Sequence, residues 1–166
     1  MTAPRILVKT EGPSHTEMAP APETGWYLLG GMGLVFALVA GVDLALVWYP
    51  AGFGNREWEF GTVSAVLDGL PLFAMGLALS FGAAVARGKI GLLKFWSIVL
   101  IVAAVVILGL LGLYARTIPV ALASTTDALV KVGLQKAIAK ALLQGVGYTA
   151  AFLWTGILGW KHAKSA

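Results

Sequence analysis

The stretch that decides the fold is NREWEFGTVSAVLDGLPLFAMGLALSFGAAVA, Asn55 to Ala86. It opens as a charged, aromatic surface sequence, carries Asp68 into apolar territory, meets helix breakers at Gly69 and Pro71, and ends in small apolar residues. From Thr62 to Ala86 Asp68 is the only charge, and the run has roughly the ~20 residues needed to cross a ~30 Å hydrocarbon layer. Similar apolar runs occur three more times, at about 26–48, 92–114 and 141–160. A soluble domain carries about 25% charged residues. This 166-residue chain has 12%, and its 58% hydrophobic residues are collected into runs rather than alternating with polar ones. Only helices and closed barrels satisfy their backbone in lipid, and these runs have helical length. The expected fold is therefore all-α: an integral membrane four-helix bundle at 26–161, with a short external interfacial segment and an external amphipathic helix.

Each run carries its own end markers. Trp26-Tyr27 and Trp48-Tyr49 bracket the first, as interfacial aromatics do, and Pro50 and Gly52 end it. Gly30, Gly31, Gly33, Ala37 and Gly41 leave one side nearly bare, which permits close helix approach. In the second run, about 62–86, Pro71 cannot donate to the carbonyl of Leu67, so a kink is expected beside Asp68. Gly76, Ser80 and Ala84 form one row of small residues and Ala78, Gly82 and Ala86 another, both expected to pack inside the bundle. Lys94, Phe95 and Trp96 anchor the start of the third run, and Tyr114 and Arg116 its finish; its centre suits a lipid-facing helix. The fourth closes on Trp160 and a basic tail, 162–166.

The connections are equally informative. Asn55 suits an N-cap with Glu57 and Glu59 in the first turn. Trp58 and Phe60 would then turn their rings to the membrane and the carboxylates to water. The segment 117–140 starts at Pro119, has Ser124 or Thr125 as candidate caps, and allows an Asp127–Lys131 pair. Leu129, Val132, Leu134 and Ile138 interleave with Lys131, Gln135, Lys136 and Lys140, the pattern of an amphipathic helix. It either lies on the membrane or forms the first part of a long fourth helix. Residues 1–25 contain Pro4, Pro13, Pro20 and Pro22 and lack the apolar core of a signal peptide, so they read as a disordered tail.

Four spans put Arg5, Lys9, Arg87, Lys89, Lys94, Lys161 and Lys164 on one side, and Arg56, Arg116, Lys131, Lys136 and Lys140 on the other. The short Arg87-Gly88-Lys89 turn is wholly basic. The positive-inside rule then places both termini in the cytoplasm, and the expected location is the bacterial inner membrane.

The chain has no cysteine, and His15 and His162 both lie in the tails. The sequence therefore offers no catalytic, cofactor-binding or metal-ligating set. The basic residues sit at span ends, so the net charge of +4 does not point to nucleic acid. Asp43 and Asp68 are the only acidic residues within spans, and an ionisable group there is a functional hypothesis by default. Two readings stand. The carboxylates bind a cation or proton, as in a small ion- or proton-coupled carrier, or they pair with Arg56 or Arg116 and fix the bundle. Glu57, Trp58, Glu59 and Phe60 form either a partner-docking surface or an interfacial anchor. The expected partners are the lipid bilayer and other membrane protein subunits.

The run from Asp43 to Pro50, the motif Asn55-Arg56-Glu57-Trp58-Glu59, and Asp68 with Leu70-Pro71-Leu72 and Gly76-Leu77 carry a resemblance. Over about Val39 to Ala86 the chain resembles the N-terminal membrane part of the cyanobacterial hormogonium polysaccharide secretion accessory proteins. The resemblance implies a non-enzymatic accessory membrane protein in envelope polysaccharide export.

Overall fold

The computed structural model describes residues 23–165 as four helices, α1 (Glu23–Leu46), α2 (Arg56–Ala86), α3 (Ile90–Ser124) and α4 (Ala128–Ser165). At 1.5 Å per residue they are about 36, 46, 52 and 57 Å long, and each is long and apolar enough to cross a membrane. The all-α four-helix architecture expected from the four runs is the one observed. Residues 1–22, and with them the expected tail, its four prolines and His15, lie outside the described residues. Glu23 to Gly25 already belong to α1, and the basic tail continues α4 as far as Ser165.

The helix boundaries correct two expectations. The interfacial segment is not separate: Asn55 Oδ1 accepts hydrogen bonds from the backbone N–H groups of Glu57 (3.0 Å) and Trp58 (3.2 Å), and α2 runs from there through Pro71 to Ala86. The amphipathic segment 117–140 is not one helix either. Thr117 to Ser124 finish α3, with Pro119 inside it, while 128–140 form the first part of a long fourth helix, the second of the two alternatives expected. Asp127, rather than Ser124 or Thr125, caps α4, its Oδ1 accepting from the Leu129 N–H at 2.8 Å. The hydroxyls of Ser124 and Thr125 instead donate back to the Ala121 carbonyl, both at 3.0 Å. Asp127 therefore serves the helix end and makes no salt bridge to Lys131.

Two close seams hold the helices in antiparallel pairs. Along α1 and α2, Gly30 faces Ala83, Gly33 faces Ser80, Ala37 faces Gly76 and Leu44 faces Gly69. A Cβ on Gly33 would lie 2.7 Å from the Ser80 backbone N, and one on Gly76 would run into the Ala37 backbone. Of the two small-residue rows, Gly76, Ser80 and Ala84 are buried, whereas Ala78, Gly82 and Ala86 are exposed. The second row therefore faces outward and packs against nothing in this bundle. The α3–α4 pair uses Gly145 against Leu111, Gly156 against Ile101 and the Ser97 carbonyl, and Gly159 against Ser97, while Gly159 also meets Phe81 of α2. One polar contact, Ser80 Oγ to the Gly30 carbonyl at 3.5 Å, crosses the α1–α2 seam. Such bonds average about 0.6 kcal/mol in membranes, so backbone proximity, not hydrogen bonding, joins the pair.

α2 is the hub. Val63, Leu67, Leu70, Ala74 and Leu77 pack with Leu100, Ala104, Ile107, Leu111 and Tyr114 of α3 and with Ile138, Ala141 and Phe152 of α4. The centre of α3 is thus not wholly lipid-facing. Its exposed large side chains are Ile98, Val102, Val105, Val106 and Leu108. α1 packs on α2 and on no other helix. The α2–α3 turn, the start of α1 and the end of α4 share one end, here the basic end. The α1–α2 loop and the α3–α4 turn share the other, the rim.

With no native cysteine, disulfide trapping can test the first seam. The Gly30→Cys/Ala83→Cys pair should cross-link readily, since a Cβ on Gly30 lies 3.2 Å from that of Ala83, close to disulfide spacing. Adding Gly76→Leu should abolish the cross-link while leaving far-UV circular dichroism unchanged. Retained cross-linking would show that the seam does not hold α1.

Candidate functional site

The rim is where this chain's polar chemistry gathers. Gly54, at φ +94°, takes a backbone conformation that side chains disfavour, and its N–H donates to Glu59 Oε1 at 3.0 Å. The other carboxylate oxygen of Glu59 accepts from Arg116 Nη2 at 3.4 Å. Glu59 is therefore buried and binds the loop and α3 to α2, contrary to the expectation that its carboxylate faces water. The next residue, Phe60, stacks on Tyr114 with ring centroids 5.0 Å apart. Trp58 closes a three-ring cluster with Trp48 and Phe53, all centroid distances between 5.3 and 5.8 Å. A Cβ on Gly52 would meet the Trp58 ring at 2.9 Å, so that glycine is needed for the cluster to close. Of the four residues expected to dock a partner, Glu59 and Phe60 are thus engaged within the bundle, Trp58 is half-buried, and Glu57 is exposed.

The aspartates do not pair as expected. Asp68 Oδ1 accepts from Lys140 Nζ at 2.8 Å, linking α2 to α4, while Arg116 serves Glu59. Arg56 and Asp43 are exposed and form no salt bridge with another described residue. Asp43 precedes the seam residue Leu44, and Asp68 precedes the seam residue Gly69. In an antiparallel pair this offset places both carboxylates on the same flank of α1–α2 at similar height. The Asp68–Lys140 pair is more than half exposed, so its contribution is about 0–1 kcal/mol.

Two buried polar atoms lack partners among the described residues: the Tyr114 hydroxyl and Gln144 Oε1. Tyr114 is fully buried, not the interfacial anchor expected at the end of run 3. Ser64 and Asp68 lie in its surroundings, but neither makes a hydrogen bond with it. Nothing in the sequence marks Gln144. Lys140 was legible as a charge on an amphipathic helix, but not as the partner of Asp68, which lies 72 residues away.

Above this polar layer stands the end of the α3–α4 hairpin. Lys94 to Arg116 on α3 and Lys140 to Lys161 on α4 span about 33 and about 32 Å, the thickness of the hydrocarbon layer. The part of α3 after Arg116 and the part of α4 before Lys140 add about 12 and about 18 Å. This projection carries exposed Leu129, Val130 and Val132 next to Lys131 and Lys136. Beside it a recess of about 200 Å³ lies between the start of α2 and the hairpin, with Arg56 and Glu57 on one wall and, on the other, Leu134 and the end of α3 at Ser124 and Thr125.

The fold and the rim define the class: a small multi-pass helical membrane protein whose α3–α4 hairpin extends past the span. Comparison with family models, with curated proteins and with solved structures finds no match.

Removing the Tyr114 hydroxyl tests the interior polar layer. An unpartnered buried hydroxyl is a burden of about 1–3 kcal/mol. Tyr114→Phe should therefore leave Tm unchanged or raise it. A clear fall in Tm would mean that the hydroxyl is satisfied, for example by a bound water.

Proposed function

We propose that this protein is a non-enzymatic accessory or scaffold subunit of a larger complex in the bacterial inner membrane, with the basic end in the cytoplasm. The observation that carries the reading is the projecting hairpin. Leu129, Val130 and Val132 stand outside the thickness that lipid covers and expose apolar surface there, the mark of an interaction site. The loop aromatics are occupied with one another, so contact with a partner falls to the hairpin tip, with Tyr49 and Phe53 as the exposed residues of the loop. The resemblance over residues 39–86 makes envelope polysaccharide export the first system in which to look for that partner.

A photo-cross-linking residue at Leu129 or Val132 should give a discrete adduct with another protein in native membranes. The same residue at Leu108, on the lipid-facing side of α3, should give none. Equal labelling at both positions, or no adduct at the tip, would sink the scaffold reading.

One observation favours a second reading, a small ion- or proton-coupled carrier: Asp43 and Asp68 lie on one flank. Lys140 argues against it, because an ammonium already neutralises Asp68. Asp68→Asn separates the two. A scaffold should lose at most about 2–4 °C of Tm and keep its cross-link at the tip. A carrier should lose cation or proton flux in proteoliposomes with Tm intact.

A further inference from the structure

Because α1 touches α2 alone, a groove runs between α1 and α3 with α2 as its floor. Toward the rim it widens to about 630 Å³, walled by Leu44 and Trp48 of α1 and by Val102 and Val106 of α3, over Leu70 and Phe73. Toward the basic end a second recess, of about 250 Å³, is bordered by Trp26, Tyr27, Trp96 and Arg87. Both parts lie on the same flank of α1–α2, opposite Asp43 and Asp68.

In a bilayer such a groove holds either another helix or an acyl chain, since apolar cavities stay dry. The walls decide between them. Where α1 seats on α2, glycine meets backbone, at Gly33 and Gly76. The α3 wall of the groove instead presents Ile98, Val102 and Val106, branched side chains that hold a second backbone off but conform to a flexible chain. The basic end adds charge. The Arg87 guanidinium lies 3.7 Å from the centre of the Tyr27 ring, with Lys89 two residues on. Trp26 and Trp96 stand beside it at the level where indoles meet headgroups. Arginine suits phosphate through its planar fork of donors.

We propose that this groove is a binding site for one anionic phospholipid, its phosphate on Arg87 and an acyl chain laid along α2 between α1 and α3. The site needs only that the chain spans a bilayer; it stands or falls separately from any partner at the hairpin tip.

Native mass spectrometry of the purified protein in defined mixtures of phosphatidylglycerol and phosphatidylcholine reads it out. Wild type should retain one phosphatidylglycerol in preference to phosphatidylcholine. Arg87→Gln should weaken that retention about five- to tenfold and erase the preference. Val102→Trp, or Ala103→Phe if the first folds poorly, should fill the groove and weaken retention of both lipids. In wild type, phosphatidylglycerol brominated on its acyl chains should quench tryptophan fluorescence more than brominated phosphatidylcholine does. Retention unchanged in both variants overturns the proposal. So does loss in Arg87→Gln alone, which means adsorption to surface charge only. A lipid-free dimer, in which a second copy fills the groove, overturns it as well.

Discussion

Everything in this bundle depends on how closely backbones approach where glycine permits it. Lipid tails are as apolar as leucine, so burying leucine between helices gains little over leaving it in the bilayer. What remains is dispersion, which needs atoms at contact distance. Gly33 and Gly76 provide it for α1–α2, and Gly145, Gly156 and Gly159 provide it for α3–α4. Side chains at these positions would force the backbones apart, and most of the attraction would go with them. The branched residues of the α2–α3 interface can be large because α2 is already held in register by its other neighbours.

The rim follows from the same solvent. Near the membrane surface the carboxylate of Glu59 and the side chain of Asp68 cannot rely on bulk water all round. Each finds a base on another helix, Arg116 and Lys140 respectively. The first link is the more consequential. Glu59 is buried and also holds the Gly54 N–H, so losing it strands a donor as well as a charge. The second is half-exposed and closes α2 onto α4 with little energy at stake.

The sequence made legible the four spans, the cap at Asn55 and the end shared by the start of α1, the end of α4 and the Arg87–Lys89 turn. These depend on composition and on neighbours a few residues away. It did not show which small-residue row packs. Gly76-Ser80-Ala84 and Ala78-Gly82-Ala86 have the same spacing, and only the rotation of α2 against α1 tells them apart. It did not show that Glu59 turns inward, because its partner lies 57 residues on, at Arg116. Pro119 read as a helix start because proline usually sits there. α3 absorbs it instead, and the true break falls at the Asp127 cap. The candidate site was legible as a set of charged residues near one interface, but not in its pairing.

The two ends of the bundle treat positive charge in opposite ways, and this difference ties the fold to its surroundings. At the rim, Asp43, Glu57, Glu59, Asp68 and Asp127 surround the bases, and Arg116 and Lys140 are satisfied by carboxylates of the same chain. Among the described residues, Arg87, Lys89, Lys94, Lys161 and Lys164 at the basic end have Glu23 as their only acidic neighbour by position. Arg87 and Lys164 lie over aromatic rings instead, those of Tyr27 and Trp160. A cation resting on a ring keeps most of its field, so the basic end presents unneutralised charge to the adjoining leaflet. The rim carries two ion pairs and the end of the α3–α4 hairpin. The contrast between the two ends is set by where the carboxylates fall along the chain.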